Sequence, residues 1–491
     1  MSLSYRAALG ALWTITSSIG ARAMGIVATL VLTRFVTPTE FGEVSIASVI
    51  LISANTFTAL GVTQYVISYP KSGRDVAFHA TALYLGVGVV AFGATWLLAD
   101  RLALLFDAPH VAAYIPWIAL GTFAERVAGM PTRILVREMR FKVLGIGQLC
   151  GELGYVLSSL SFAMGGWGGF SLVFGGLARD LAICLLVLSQ VPWREWLSPC
   201  RLQLGRIKSL LAYGLPFSAS ASLDVVARKW DNLLFAQLFS PAAAGRYSLA
   251  YNLADVPAAH IGEHIGDVLL PSFSRMDDRR DRRRALSRAA GLLALVVFPL
   301  AVGLGAVAHT LIGVLFDEKW QSIAPLLVVL SALSVVRPLG WLLASYLLAD
   351  GKTGRIFLLQ TVKATAIVVF IVLLAPFGEV AACAAVGLAF GCHAFAGMFV
   401  VRRTHQIRLS SLLVPMLGPL LACLPLVVAV LAVRLVFTQL LGEGLPWLRL
   451  VFEVAAGAFA YVSGAWLMAN GQSKDLLGLL GGALRRRALA S

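Results

Sequence analysis

Apolar blocks of membrane-spanning length recur along this chain from end to end, and they restrict its folding more than any other feature. A bilayer core takes about 20 apolar residues per helix. Inside it, every backbone N–H and C=O needs a partner within its own helix or in a closed barrel. Continuous blocks of this length fit helices. They predict about fourteen spans, at 10–33, 41–66, 79–99, 111–132, 143–163, 169–189, 210–234, 246–270, 289–311, 322–349, 356–376, 379–401, 412–437 and 447–470. Charged residues make up 13% of the chain and hydrophobic residues 59%. A soluble domain keeps roughly a quarter of its residues charged, so a soluble fold is excluded.

The net charge of +15 follows membrane topology. With the N-terminus placed in the cytoplasm, 27 of the 40 Lys and Arg residues fall in cytoplasmic segments. Only Arg34, Arg101, Arg246 and Lys319 fall in outward loops, and nine lie within spans. This is the positive-inside bias. It predicts a multi-pass membrane protein with both termini cytoplasmic. The run "RMDDRRDRRRALSR" (275–288) then reads as a solvated loop near anionic lipid, and nucleic acid is not a predicted partner. Six cysteines fall in or beside spans without CxxC spacing, which fits small apolar core residues. No connecting segment reaches thirty residues, leaving no room for an extramembrane catalytic domain.

One arginine, Arg22, interrupts the first block. A cleavable signal peptide would explain a short apolar stretch ending there, but an internal duplication argues otherwise. "LTRFVTPTEFGEVSIA" (32–47) aligns with "FAQLFSPAAAGRYSLA" (235–250), so that Pro38, Gly42, Ser45 and Ala47 meet Pro241, Gly245, Ser248 and Ala250. Farther on, "FDAPHVAAYIPWIAL" (106–120) aligns with "FDEKWQSIAPLLVVL" (316–330), and Arg126 falls near Arg337. The counterpart of residues 10–36 lies at 213–239, deep in the chain, where no signal peptide can sit. Residues 10–33 therefore read as a helix of the fold, with Arg22 near the bilayer midplane. Six spans separate the matched segments, so the halves share one orientation. Parallel repeats of this kind suit two bundles that rock to expose a central site to each side in turn.

The opening "ALWTITSSIGARAMGIVATLVLTRFVTPTEFGEVSIASVI", with Leu32, Arg34, Pro38, Phe41 and Gly42, resembles the start of the Wzx-type polysaccharide-biosynthesis flippases. These belong to the multidrug/oligosaccharidyl-lipid/polysaccharide exporter superfamily. "GLPFSASASLDVVARKWDNLLFAQLFSPAAAGRYSLA" (214–250), including Asp231, resembles the family's seventh helix and following turn. The resemblance covers about residues 5 to 400. It implies an all-α integral membrane fold of the multidrug-exporter kind, with two parallel six-helix lobes (1–199 and 200–405). Two further helices and a basic tail complete it (406–491). It also implies a transporter, not an enzyme, that moves an undecaprenyl-diphosphate-linked oligosaccharide outward by alternating access, for exopolysaccharide, capsule or O-antigen synthesis. The lipid-linked oligosaccharide, membrane lipids, a polysaccharide polymerase and chain-length machinery are the partners implied. No cofactor is expected, and coupling to H+ or Na+ is left open.

Seven cations interior to spans are the expected substrate-binding groups: Arg22, Arg126, Arg179, Arg228, Lys229, Arg337 and Lys363. A charge in a span costs about 2.5–3.5 kcal/mol on insertion scales and normally faces a bundle interior or water. Guanidinium groups offer a diphosphate bidentate hydrogen bonds. Arg434 and Arg449, near helix ends, are expected to snorkel to the interface. The bland alternative is internal ion pairing: Arg179 with Asp180, Glu125 with Arg126, Asp224 with Arg228. Titratable residues expected in gating or ion coupling are Glu152, Asp224, Asp231, Asp255 and, within "HIGEHIGD", His260, Glu263, His264 and Asp267. The H-x-x-E-H order also occurs in zinc peptidases, but here it falls at the cytoplasmic end of a span just after Pro257. A peptidase also needs a distal ligand and room for peptide, and no metal site is expected. The rival functions are a cation or drug antiporter of the same superfamily and a membrane-embedded glycan enzyme.

Overall fold

The computed structural model describes residues 3–68, 73–255, 276, 278–349, 353–440, 442 and 445–488. All regular structure among them is helical. The chain divides into two compact units, residues 1–245 and 246–491. Eleven helices among the described residues are long and apolar enough to cross a membrane. The other three expected spans correspond to α2 and α4, defined below, and to 246–270, which lies mostly outside the described residues. Glu40 and Glu43 in α2, and Glu125, Arg126 and Arg133 in α4, lower the apolar character of these two helices.

The first unit contains α1 (Leu3–Phe35), α2 (Pro38–Phe57), α3 (Arg74–Leu97), α4 (Val111–Arg137), α5 (Phe141–Met164), α6 (Gly169–Gln190) and α7 (Leu204–Leu238). A continuous helix α1 with Arg22 well inside it agrees with the duplication argument. Helix α2 starts where "TPTE" requires. Thr37 and Glu40 cap each other through Glu40 Oε2 accepting from the Thr37 N–H at 2.8 Å, and Pro38 takes the first turn, where its missing N–H costs nothing. The repeat uses the same chemistry: Ser240 Oγ accepts from the Ala243 N–H at 3.1 Å, just ahead of Pro241 and helix α8 (241–255).

These duplicated turns meet each other. A Cβ on Gly42 would overlap the carbonyl of Pro241, and a Cβ on Gly245 would overlap the carbonyl of Pro38. Sequence-equivalent residues thus pack reciprocally, backbone on backbone, which only glycine permits. A second such contact joins Gly214 of α7 to Gly61, whose φ of +61° lies in the left-handed region. Helix α7 is therefore clasped against α2 and the short helix Val62–Ser68, with Trp230 Nε1 donating to Ser53 Oγ at 3.1 Å.

In the second unit, α9 (Arg279–Leu315) is the central helix. Around it pack α10 (Ile323–Leu333) and α11 (Arg337–Ala349), halves of one span broken by a 3-10 turn at Ser334–Val336 before Pro338. Helices α12 (Thr353–Leu374) and α13 (Glu379–His405) pair with each other. The C-terminal helices are α14 (Ser410–Leu421) and α15 (Cys423–Leu440), again one span, followed by α16 (Pro446–Met468) and α17 (Asn470–Ala488). A single apolar core runs from Leu293 and Phe298 through Leu342 and Tyr346 to Leu426, Val430 and Tyr461. The last two spans are thus built into the second unit's core.

Candidate functional site

Glycines let polar side chains sit between helices in the first unit. Helix α1 packs along α5, and α5 along α6. A Cβ on Gly25 would lie 2.6 Å from Glu152 Oε1, so the missing side chain leaves the groove that receives this carboxylate. Gly25 is three residues, one helical turn, from Arg22. Across α5, Gly151 admits the stem of Arg179, whose Nε lies 3.4 Å from Asp180 Oδ1 and whose guanidinium stands over the Tyr155 ring at 5.7 Å. Gly121 of α4 approaches Asp180 Oδ2, and Glu125 interacts with Asp180, Arg179 and Arg126. Three carboxylates from three helices, Glu125, Glu152 and Asp180, therefore act electrostatically on Arg179, with Asp180 paired to it directly.

The seven expected cations divide by accessibility. Arg22 is exposed, and the Arg179 and Arg228 side chains are each 44% exposed. Lys229 is intermediate. Arg126, Arg337 and Lys363 are 1%, 6% and 5% exposed. All the accessible ones lie in the first unit. Arg228 Nε pairs with Asp224 Oδ2 at 2.9 Å, one turn away on α7, as expected of the bland alternative, while its remaining surface stays open. Asp231 is buried, and its Oδ1 accepts from the Asn232 N–H at 2.9 Å.

The buried arginines form an equivalent pair. Arg126 of α4 donates through Nη2 to Thr58 Oγ1 at 3.1 Å and lies over the Tyr84 and Phe92 rings, 4.2 and 5.5 Å from their centres. Arg337, at the repeated position, lies over Tyr251 and Phe390 at 5.0 and 4.6 Å and is ion-paired with Asp255. In both halves the fourth span's arginine reaches back to the second helix. The acid that pairs with Arg337 comes from α8, a different helix from its own. Lys363 shares the Phe390 ring at 5.8 Å.

Arg434 and Arg449 do not snorkel. Both turn inward onto Glu453, which has no exposed surface and accepts from Arg434 Nε at 3.2 Å, Arg449 Nε at 3.0 Å and Thr310 Oγ1 at 2.9 Å. Three charges from α15 and α16 sharing one point outweigh two separate routes to the interface. His260, Glu263, His264 and Asp267 lie outside the described residues. Among those residues, no three His, Cys, Asp or Glu side chains are grouped to hold a metal.

The polysaccharide biosynthesis protein family matches residues 31–325, more than half of the chain. The chain belongs to that family. It is 25% identical over 369 residues to the lipopolysaccharide biosynthesis protein WzxC of Escherichia coli (strain K12), covering 74% of each chain. It is 24% identical over 318 residues to the succinoglycan biosynthesis transport protein ExoT of Rhizobium meliloti (strain 1021), covering 64% of this chain and 63% of that one. Among solved structures it resembles the lipid II flippase MurJ in an inward closed conformation, with a TM-score of 0.78 at 12% identity, over 95% of this chain and 100% of that one. A multidrug resistance MATE transporter in its inward-facing conformation matches with a TM-score of 0.62 at 16% identity, over 77% and 94%. The fold is that of these multi-pass membrane transporters.

Of the expected site residues, this family member brings together Glu152 and Arg179 through the packing of α5 and α6, with Gly25 of α1, one turn from Arg22, against Glu152. It sets Arg126, Arg337 and Lys363 under aromatic rings. Glu125, Asp180 and Tyr155 join the first group. In the sequence Glu125 and Asp180 stood out only as candidate ion-pair partners of Arg126 and Arg179, and Tyr155 only as a polar residue three positions from Glu152.

Proposed function

We propose that this protein is a flippase that carries a lipid diphosphate-linked oligosaccharide outward across a bacterial inner membrane by alternating access, without enzymatic chemistry. The observation that carries the reading is the set of accessible guanidinium groups at span depth. Arg22 lies thirteen residues from the end of α1, about 20 Å along the axis. Arg179 is close to the centre of α6. An arginine with that much open surface cannot face hydrocarbon cheaply, so it faces water. Water-lined guanidinium groups are what a diphosphate needs, because it exchanges one hydrated environment for bidentate hydrogen bonds. Family membership and the likeness to flippase and transporter folds support the same reading.

The carboxylates give the site a way to reset. Glu125, Glu152 and Asp180 compete with phosphate for Arg179, so binding substrate releases them, and release of substrate restores them. Proton or Na+ uptake by the freed carboxylates would couple export to an ion gradient. The same acidic group favours cation antiport as the second reading. One experiment separates the two. In a strain lacking the protein, lipid-linked oligosaccharide should accumulate facing the cytoplasm, and the wild-type chain should clear it. An Arg22→Ala/Arg179→Ala variant that inserts normally should lose this by at least about tenfold, as for a charge-assisted phosphate contact worth roughly 1.5–3 kcal/mol. Undiminished export by that variant, or drug efflux with no effect on the lipid-linked pool, overturns the flippase reading.

A further inference from the structure

The Arg-rich run at the start of α9 forms a cavity. Its walls are the first turns of three helices, α9, α14 and α17, and its open volume is about 1010 Å³. Arg280, Arg283, Arg284 and Arg288 line it from α9, Ser411 and Pro415 from α14, and Gln472 and Asp475 from α17. One carboxylate thus faces four guanidinium groups. The three helix N-termini add their partial positive charges and N–H groups to the same space.

The walls are tied to one another, which makes this a built site and not a loose surface. Ser287 Oγ donates to the Ser411 carbonyl at 2.7 Å, joining α9 to α14. Gln472 Nε2 donates to the Pro415 carbonyl at 3.2 Å, joining α17 to α14. Arg288 Nε donates to Asp475 Oδ2 at 2.8 Å, joining α9 to α17. Gly291 lets the elements close up, since a Cβ there would meet Gln472 Cγ and Pro415 Cβ, both at 3.1 Å. These bonds occupy Arg288 and leave Arg284 84% exposed, 3.9 Å from Asp281.

We propose that this cavity binds the phosphate headgroup of an anionic phospholipid. A free phosphate would have the right charge, but the surroundings favour a lipid. One turn beyond Ser411, the exposed apolar side chains Val414, Leu417, Leu421 and Leu424 run along α14 into α15, in position to receive acyl chains. The positive-inside bias places the cavity on the cytoplasmic side, where anionic headgroups attract clustered arginines. The site is independent of Arg22 and Arg179, so its failure and the failure of the flippase reading are separately visible.

The full-length chain is recovered from nanodiscs of phosphatidylcholine mixed with phosphatidylglycerol or cardiolipin, and co-purifying lipid is counted by native mass spectrometry. The wild type should retain anionic lipid over phosphatidylcholine. An Arg280→Gln/Arg283→Gln/Arg284→Gln variant should retain it on the order of 100-fold less, from about fivefold per arginine near an anionic surface. An Arg194→Gln/Arg402→Gln/Arg403→Gln variant removes the same charge outside the cavity and should retain lipid. Equal loss in both variants would show general surface attraction and overturn the site. No preference in the wild type would overturn it too, as would displacement of the lipid by millimolar inorganic phosphate. Matching melting temperatures of the two variants exclude misfolding as the cause.

Discussion

At the scale of single residues, one side-chain type does two jobs here, and burial separates them. Arg126 is held under Tyr84 and Phe92, and a Cβ on Gly88 would overlap its Nη1. Among the described residues its Nε and Nη1 have no hydrogen-bond partner, and the Tyr84 and Phe92 ring faces lie against its charge. A buried cation over an aromatic face contributes about 0.5–2 kcal/mol, and truncating a large buried side chain costs more through the cavity it leaves. Arg126→Ala should therefore destabilise the first unit by about 2–4 kcal/mol. Arg22→Ala, which removes an exposed side chain, should change the stability by no more than about 0.5 kcal/mol. Thermal melting of purified protein in detergent checks the pair. Equal melting of the two would mean that Arg126 is not structural. The sequence showed that cations sit inside spans, because hydropathy is a property of each segment. It could not show which are buried, because that depends on the neighbouring helix. Gly88 and Gly25 carry that information only once α3 and α1 have partners.

Whole helices follow the same division. The duplication was legible from Pro38, Gly42, Pro241 and Gly245, and the structure gives these positions a reason, since each glycine admits the other repeat's carbonyl. Gly42→Leu should force this crossing apart and cost about 1–3 kcal/mol, the usual range for overpacking. Limited proteolysis and melting would show it, and a variant as stable as wild type would refute the crossing. The C-terminal helices were legible as spans but not as a charged cluster. Helix-end position suggested snorkelling for Arg434 and Arg449, because a single helix gives no sign of an acid on the next one. Glu453 sits four residues after Arg449 on α16, and α15 packs along that helix. Removing the one acid from a buried group leaves two cations uncompensated, so Glu453→Ala should cost about 3–5 kcal/mol. Replacing Arg434, Arg449 and Glu453 together with leucine should recover most of it, because apolar groups of similar size need no partner. A triple variant as unstable as Glu453→Ala would mean that the cluster contributes more than charge balance.

For the molecule as a whole, the deciding quantity is the charge that crosses the membrane. Five cations in the expected spans of the first unit, Arg22, Arg126, Arg179, Arg228 and Lys229, stand against six acids, Glu43, Glu125, Glu152, Asp180, Asp224 and Asp231. A bundle so nearly neutral carries little charge of its own when it moves. The charge transferred per cycle is then mainly that of the cargo. A diphosphate carries about two negative charges, and each gains about 2.3 kcal/mol per 100 mV on leaving an inside-negative compartment. Twice that figure biases the distribution outward by on the order of a thousandfold per 100 mV. Export into proteoliposomes should therefore accelerate when a potassium diffusion potential makes the loading side negative, and slow when the sign is reversed. If protons or Na+ taken up by Glu125, Glu152 and Asp180 travel with the cargo, they cancel its charge. Export would then ignore voltage and follow the ion gradient. Clamping each gradient in turn distinguishes the two. Export that responds to neither would rule out both the transferred diphosphate and the carboxylate reset as sources of direction.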